Sequence, residues 1–133
     1  MGKLSTHVLD ISLGKPGQGV ALQLFRIAKP ELGAENKGEN TGGNRPERIL
    51  LKTAITNADG RCDGPLLEGE QFQVGRYELV FAAGQYFAQQ GIKLPEPNFL
   101  DEITLAFGVA DASQNYHVPL VMSPWAYSTY RGS

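Results

Sequence analysis

The sequence predicts an all-β protein, a sandwich of two sheets with one short helix. Apolar side chains recur mostly at every second position, which is the period of a half-buried strand. Sixteen glycines and eight prolines supply turns between these alternating segments. Several short strands separated by turn residues are typical of a β-sandwich.

Six alternating segments are predicted as strands, and a seventh closes the chain. Chain ends usually fray unless they are docked. The last segment alternates Trp125 and Tyr127 with smaller side chains and also holds Tyr130, so we expect a strand whose rings pack on one face. The six earlier strands are predicted at residues 4–9, 20–25, 49–56, 77–82, 102–109 and 116–122.

Two segments depart from this period. Residues 84–91 contain no β-branched side chain, hold good helix formers and end at Gly91, which suits a helix C-cap, so they predict the short helix. Residues 57–60 predict a tight turn between two strands, because Asn57 and Asp59 can bond their own backbone and Gly60 accepts positive φ. Arg61 then follows a rigid corner.

The segment from Lys29 to Arg48 predicts a flexible loop. It is rich in glycine and asparagine and has almost no apolar side chain to offset the entropy of ordering. A loop of this length is either a functional lid or disordered, and we favour disorder. The length of 133 residues suits one domain with a real core, so a single domain over 1–133 is expected.

Composition limits the partners. Twelve Lys and Arg against fourteen Asp and Glu give a net charge of -2, so bulk charge does not favour nucleic acid or an anionic membrane. No apolar run reaches the length of a membrane span, and no signal peptide is visible. Cys62 is the only cysteine, which fits a cytoplasmic protein, although a periplasmic one whose signal peptide was removed would also fit. The start matches the bare myristoylation pattern, which we interpret as chance because it leads directly into a strand.

Two histidines, His7 and His117, are the candidates for acid–base chemistry. Their number and spacing do not make a zinc site, so no metal and no cofactor is predicted. Each taken alone is more simply a partly buried, satisfied ring. Both sit in predicted strands whose alternation allows them to face one surface, and imidazole titrates near neutrality, so together they could take a proton from water.

Arg61 and the tail each allow a plain interpretation. In the plain interpretation Arg61 is an exposed cation after a turn that pairs with Asp59 or Asp63. In the other, its planar guanidinium donates hydrogen bonds to an oxygen-rich anion. The tail with Ser128 and Arg131 is simply a final edge strand with Trp125 as core filler, or part of a ligand site. Spacing alone favours the plain interpretation of both.

Four stretches together resemble the transthyretin-like 5-hydroxyisourate hydrolases of purine catabolism. They are Ser-Thr-His-Val-Leu-Asp at 5–10, Asn-Ala-Asp-Gly-Arg at 57–61, His-Val-Pro-Leu at 117–120 and Tyr-Arg-Gly-Ser at 130–133. The resemblance runs from Leu4 to Ser133, and the closing tetrapeptide separates these hydrolases from transthyretin. Only the polar stretch from Lys29 to Arg48 looks longer than is usual in the family.

The resemblance implies a prealbumin-like sandwich of two antiparallel sheets and a homotetramer, a dimer of dimers with active sites between the dimers. It implies attack of water on the cyclic amide of 5-hydroxyisourate, which opens the six-membered ring to give 2-oxo-4-hydroxy-4-carboxy-5-ureidoimidazoline. It also implies a catalytic set and a substrate-binding set of residues. The catalytic set is His7, Arg61 and His117, and the substrate-binding set is Ser128, Tyr130, Arg131, Gly132 and Ser133.

Three other functions stay open at this point. A transthyretin-like binder without catalysis would keep the fold and tolerate loss of either histidine. A structural sandwich module would have no use for polar groups on a sheet face. A serine or cysteine acyl-transfer enzyme has the least support, because no Gly-x-Ser-x-Gly elbow occurs and Cys62 has no base nearby in the sequence.

Overall fold

Alternating apolar side chains form two packed sheets in the computed structural model, which describes residues 2–28 and 47–132. Within these residues the predicted all-β sandwich with one short helix is confirmed. The strands are β1 (Lys3–Asp10), β2 (Lys15–Pro16), β3 (Ala21–Ala28), β4 (Glu47–Ile55), β5 (Leu67–Glu68), β6 (Gly75–Phe81), β7 (Ile103–Val109), β8 (Tyr116–Met122) and β9 (Tyr127–Thr129), and the helix is α1 (Ala83–Gln89).

The first sheet has the strand order β2-β1-β8-β9, and β5 also pairs with β1. The second sheet has the order β4-β3-β6-β7. Every pairing is antiparallel except the one between β1 and β8, which is parallel. The expected two antiparallel sheets therefore hold apart from this pair, which joins the beginning of the chain to its end.

The core lies between the sheets. In β1, alternate side chains point into this core, and the others remain outside it. Leu4 and Val8 are fully buried, whereas Ser5, His7 and Leu9 alternate with them and are half-buried. Successive side chains of a strand point to opposite faces, so His7 lies on the outer face of the first sheet. The core thereby leaves the candidate site residues accessible.

The predicted helix agrees with the structure, whereas the predicted loop and the strand that follows it differ in part. Helix α1 is confirmed and is followed by Gly91 at φ 79°, as a C-cap glycine requires. Strand β4 begins at Glu47, two residues earlier than predicted, so Glu47 and Arg48 belong to a strand and not to the predicted 29–48 loop. The rest of that loop lies outside the described residues. The two-residue strands β2 and β5 were not predicted, because two residues show no periodicity.

A buried carboxylate ties the end of β1 to the helix. Asp10 is fully buried, and its Oδ1 accepts the backbone N–H groups of Ser12 and Leu13 as well as the Ser12 hydroxyl. Its Oδ2 accepts the Tyr86 hydroxyl at 2.7 Å. Burial, together with this hydrogen bond, raises the pKa of Tyr86, so its phenol stays protonated and donates.

Replacing Tyr86 with phenylalanine is expected to destabilise the fold by about 1–3 kcal/mol, because a buried carboxylate oxygen loses its donor. Urea unfolding would measure the change. Thr53→Val is the control for loss of an exposed hydroxyl, since Thr53 is exposed on β4 and the change should alter the free energy of unfolding by less than about 0.5 kcal/mol. Equal effects in the two variants would contradict this role for Tyr86.

Candidate active site

The two histidines lie side by side on the outer face of the first sheet. In the parallel ladder of β1 and β8, His117 is the Cα partner of Ser5, and His7 is the partner of Pro119. The rings of His7 and His117 are diagonal neighbours with centroids 6.2 Å apart and planes inclined by 32°. Residues more than a hundred positions apart are thus brought together by one strand pairing.

Arg61 reaches the same face from the predicted turn. The Asn57 side-chain oxygen accepts the backbone N–H of Asp59 at 2.9 Å and that of Arg61 at 3.2 Å, so the corner is held as expected. The turn does not begin a hairpin, however. Arg61 forms a single antiparallel bridge with His7, and the side chains of such partners share a face.

Gly60 allows this corner to approach β1 closely. Its φ is 76°, and its carbonyl accepts the Val8 N–H at 2.8 Å. A Cβ added at Gly60 would lie only 2.4 Å from the Val8 carbonyl oxygen. Glycine is therefore needed both for the backbone conformation and for the contact that places Arg61 beside His7.

A pocket of about 290 Å³ opens next to these groups. His7 stands beside it, one position further along the same strand face than Ser5. The pocket has the size of a small ring rather than that of a large ligand. Its polar lining includes Lys3, Ser5, Arg61, Asn115 and His117, and Cys62 also lines it.

The surroundings favour neutral imidazoles. Burial lowers the pKa of His7 from its ordinary value of 6.5, and the Arg61 charge lowers it further, while the backbone and the carboxylate of Asp59 act in the opposite direction. Burial, the Arg61 charge and the His7 charge all lower the pKa of His117. Both rings are thus mainly unprotonated at pH 7 and able to accept a proton.

The charge of Arg61, which lowers the pKa of both histidines, is not neutralised by a neighbouring carboxylate. Within residues 2–28 and 47–132, Arg61 forms no ion pair with Asp59 or Asp63. Asp63 instead accepts a hydrogen bond from the Asn57 amide at 2.9 Å. Arg61 is thus an exposed cation after a turn, as its plain interpretation expected, but it lacks the ion pair, and its guanidinium remains available to an oxygen-rich ligand.

The tail is held down on β8, as expected for a docked chain end. Ser128 in β9 pairs with Val121, and Gly132 forms a separate bridge with His117 through hydrogen bonds of 2.7 and 3.3 Å. The two pairings share one register, so Ser128, Tyr130 and Gly132 face the same side as His117. Ser133 lies outside the described residues.

Arg131 is on the opposite side of the tail. Its guanidinium lies 3.9 Å from the centroid of the Tyr116 ring and donates to the Gln114 side chain at 3.1 Å and to the Asn115 carbonyl at 3.0 Å. The alternation of a strand explains this placement, since Gly132 faces His117. The structure therefore brings His7, Arg61, His117 and Gly132 together but does not bring the Arg131 side chain to them.

The aromatic side chains of the tail do not fill the core. Trp125 is 56% exposed and Tyr130 is 61% exposed, so the interpretation of Trp125 as core filler is wrong, and the expected packing of the rings on one face does not occur within this chain. Trp125 contacts Phe99, with ring centroids 6.2 Å apart, and Phe99 is itself exposed. This edge of the molecule presents a group of aromatic rings to its surroundings.

Sequence reasoning missed Ser5. Its Oγ lies 2.8 Å from Nδ1 of His117, and it lines the pocket. The sequence shows only that Ser5 shares a strand face with His7. The contact depends on the parallel register of β1 and β8, for which neighbouring residues give no signal.

Other candidate chemistry has less support. Burial raises the pKa of the Cys62 thiol, which disfavours a thiolate nucleophile. No group of three or more potential metal ligands occurs among the described residues, and no helix in that part of the chain is long and apolar enough to cross a membrane.

A larger cavity of about 650 Å³ lies on the second sheet, but Glu102 is the only ionisable group in its lining, so it offers no acid–base pair.

Known proteins match the chain along nearly its whole length. A family model described as the HIUase/Transthyretin family matches residues 4–132. The chain is 52% identical to a 5-hydroxyisourate hydrolase of Ralstonia nicotianae over 100% of both chains. It superposes on the Klebsiella pneumoniae 5-hydroxyisourate hydrolase with a TM-score of 0.72 and 30% identity, covering 100% of both chains.

A further solved structure is an (S)-allantoin synthase, with a TM-score of 0.84 and 40% identity. The match covers 99% of this chain but only 44% of that longer one. The matched region in both comparisons includes β1 with His7, the corner before Arg61 and β8 with His117. A family model spanning nearly the whole chain and full-length relatives at this identity show that the chain belongs to the HIUase/Transthyretin family.

Proposed function

We propose that this protein is a hydrolase that opens the cyclic amide of 5-hydroxyisourate to give 2-oxo-4-hydroxy-4-carboxy-5-ureidoimidazoline, a step of urate breakdown. The observation that carries the proposal is the cluster of two neutral imidazoles and one unpaired guanidinium beside a pocket of about 290 Å³. The full-length relatives that bear the name 5-hydroxyisourate hydrolase support the same substrate.

His7 is the group we assign to water activation. Burial and the Arg61 charge lower the pKa of His7, so its ring is mainly neutral at pH 7. The second nitrogen of a neutral ring is then bare and can accept the proton of an attacking water. The water oxygen bonds to the amide carbon, the carbon–nitrogen bond breaks, and the nitrogen gains a proton.

Arg61 and His117 act on the substrate ring. The Arg61 guanidinium holds the ring and offsets charge that develops on oxygen, an effect worth roughly 3–4 kcal/mol in a site sheltered from water. His117 orients the substrate or returns a proton to the leaving nitrogen. No step requires a metal ion, and the substrate is the only small-molecule partner in this mechanism.

The tail lies beside the site, next to His117. Ser128, Tyr130 and Gly132 lie on the face of the histidines and are assigned to substrate positioning, together with Ser133. Arg131 is assigned a supporting role, because its contacts with Tyr116, Gln114 and Asn115 fix the segment that carries Gly132. A substrate bound by the tail would thus depend on Arg131 through the backbone.

The assembly we propose is a homotetramer, a dimer of dimers whose active sites lie between the dimers. Strands β7 and β9 are the ends of their sheets, and an unpaired edge can add a strand from a second copy. Exposed Phe99, Trp125, Tyr127 and Tyr130 give this side of the molecule apolar area to bury. The half-buried outer face of the first sheet would then become an enclosed channel. A single free thiol fits a cytoplasmic location.

Sedimentation equilibrium is expected to give four times the chain mass of 14.4 kDa at micromolar concentration. The reason is that one chain leaves these aromatic rings and the histidine face uncovered. A species of 14.4 kDa in the same experiment would contradict the assembly and with it the enclosed site.

The acid side of the pH profile of kcat/KM is expected to fall with an apparent pKa below 6.5, the ordinary histidine value. The base must be neutral, and burial and the Arg61 charge disfavour the protonated ring, so activity is lost only as the pH falls through the lowered pKa. Rates corrected for spontaneous decay at each pH provide the test. An acid limb centred above pH 6.5 would contradict these neutral imidazoles.

A binder without catalysis is the second candidate function, since the same fold and pocket would serve it. Product analysis separates the two. Reaction of 5-hydroxyisourate in water enriched in heavy oxygen should give a ring-opened acid that carries one heavy oxygen atom, formed faster with the protein than without it. Recovery of unchanged label-free substrate in a stable complex would favour the binder instead.

A further inference from the structure

The ring of His117 has one side-chain partner among the described residues, the hydroxyl of Ser5. Ser5 Oγ lies 2.8 Å from Nδ1 of His117, within the range of a good hydrogen bond. The contact is built into the ladder, because the two residues are Cα partners in the parallel pairing of β1 and β8. Both are half-buried and line the same pocket.

This hydrogen bond can run in either direction, and the direction decides the chemistry of His117. A neutral imidazole carries its proton on one nitrogen only. If Nδ1 accepts the serine proton, the ring proton lies on Nε2, which then is a donor. If Nδ1 donates to the serine, Nε2 is bare and is a second base.

A hydrogen bond donated by Ser5 to Nδ1 of His117 satisfies more donors and acceptors than the reverse direction. Ser5 Oγ makes no other hydrogen bond within residues 2–28 and 47–132, so a hydroxyl that only accepted would direct its own proton at no protein acceptor. Donation from Ser5 uses that proton and fills Nδ1 at the same time. It also makes the two rings complementary, because His117 then presents a donor next to His7, whose neutral ring has one bare nitrogen.

We propose that Ser5 is a positioning residue that holds His117 in the Nε2-protonated tautomer, so that His117 presents an N–H donor to the substrate ring. The inference rests on the function proposed above and refines it. His7 takes the proton from water and returns it to the leaving nitrogen, while His117 keeps its proton and donates a hydrogen bond alongside Arg61. Neither ring then needs to be charged before substrate binds.

The test uses the assembled protein labelled with ¹⁵N in its histidine rings. Only two histidines are present, so His7→Asn assigns the spectrum. Nitrogen shifts distinguish a protonated from a bare ring nitrogen at neutral pH. We expect Nε2 of His117 to be protonated in the parent, a mixture of tautomers in Ser5→Ala, and the parent pattern in Ser5→Thr, which keeps a hydroxyl.

Steady-state kinetics provide a second test of the role of Ser5. Ser5→Ala should lower kcat by roughly 10-fold, less than the 10²–10⁴-fold that a whole acid–base residue contributes, with KM changed by less than about twofold. Ser5→Thr should recover most of kcat. Thr104→Ala is the control for loss of a strand hydroxyl, since Thr104 is exposed on the second sheet and should leave both kcat and the tautomer unchanged.

The outcomes are separable. A parent spectrum with the His117 proton on Nδ1 overturns the proposal whatever the activity, and so does a Ser5→Ala variant with unchanged tautomer and unchanged kcat. If the parent does not accelerate decay of 5-hydroxyisourate but the tautomer responds to Ser5 as expected, the proposed function fails and the positioning of His117 by Ser5 stands. The parent spectrum alone decides the tautomer if Ser5→Ala does not fold.

Discussion

His7→Ala, Arg61→Ala and His117→Ala are each expected to lower kcat/KM by at least about 10²-fold while the fold and the assembly are retained. The physical reason is that the three side chains lie outside the core, on the outer face of the first sheet, where they contribute little to packing. Their contribution is instead to proton transfer and to charge on the substrate. Decay rates of 5-hydroxyisourate, together with circular dichroism and sedimentation, measure both parts of the expectation.

Arg76→Ala is the matched control for Arg61→Ala. Arg76 is an exposed arginine on a strand of the second sheet, and its removal should leave turnover unchanged. A variant of the catalytic set with near-parental activity would remove that residue from the mechanism. If all three variants unfolded, the positions would be structural and the catalytic assignment would fail.

Deletion of residues 130–133 is expected to reduce turnover by more than about 10²-fold and to lower stability by only about 1–3 kcal/mol. The deletion removes the two hydrogen bonds between Gly132 and His117 and the contacts of Arg131 that hold the tail. The site is then open to bulk water, which weakens each electrostatic contact with the substrate. Turnover and the urea midpoint of the shortened chain provide the measurement.

A single substitution in the tail tests the same region with a smaller change. A Cβ at position 132 would lie 3.1 Å from Cδ2 of His117, so Gly132→Ala should displace that ring and lower activity without removing any backbone pairing. Gly108→Ala is the matched control and should leave activity unchanged, since a Cβ there would meet no heavy atom within 4 Å. A fully active chain lacking residues 130–133 would show that the tail is only a strand end.

The outline of the fold was predictable because its causes are local. Alternation placed the main strands, the lack of β-branched residues located α1, and Gly60 with Asn57 located the corner before Arg61. The early start of β4 was missed because Glu47 and Arg48 are polar. Arg48 nevertheless belongs there, since its guanidinium pairs with Glu78 across the sheet and stacks on Phe25.

The geometry of the site was less predictable because it depends on distant parts of the chain. Sequence motifs named His7, Arg61 and His117 through a family resemblance, and spacing alone would have left each with a plainer interpretation. The parallel register that sets Ser5 against His117 and the tail register that turns Arg131 away from it are long-range features. The neighbouring sequence contains no information about either of them.

The decay of 5-hydroxyisourate, generated in place from urate and followed by absorbance, tests the central claim most directly. The account predicts that parent protein accelerates the decay far above the spontaneous rate, in proportion to its concentration, and that Arg61→Ala at equal concentration does not. Decay at the spontaneous rate in the presence of folded, assembled parent protein would contradict the claim that this histidine and arginine face is a hydrolytic site.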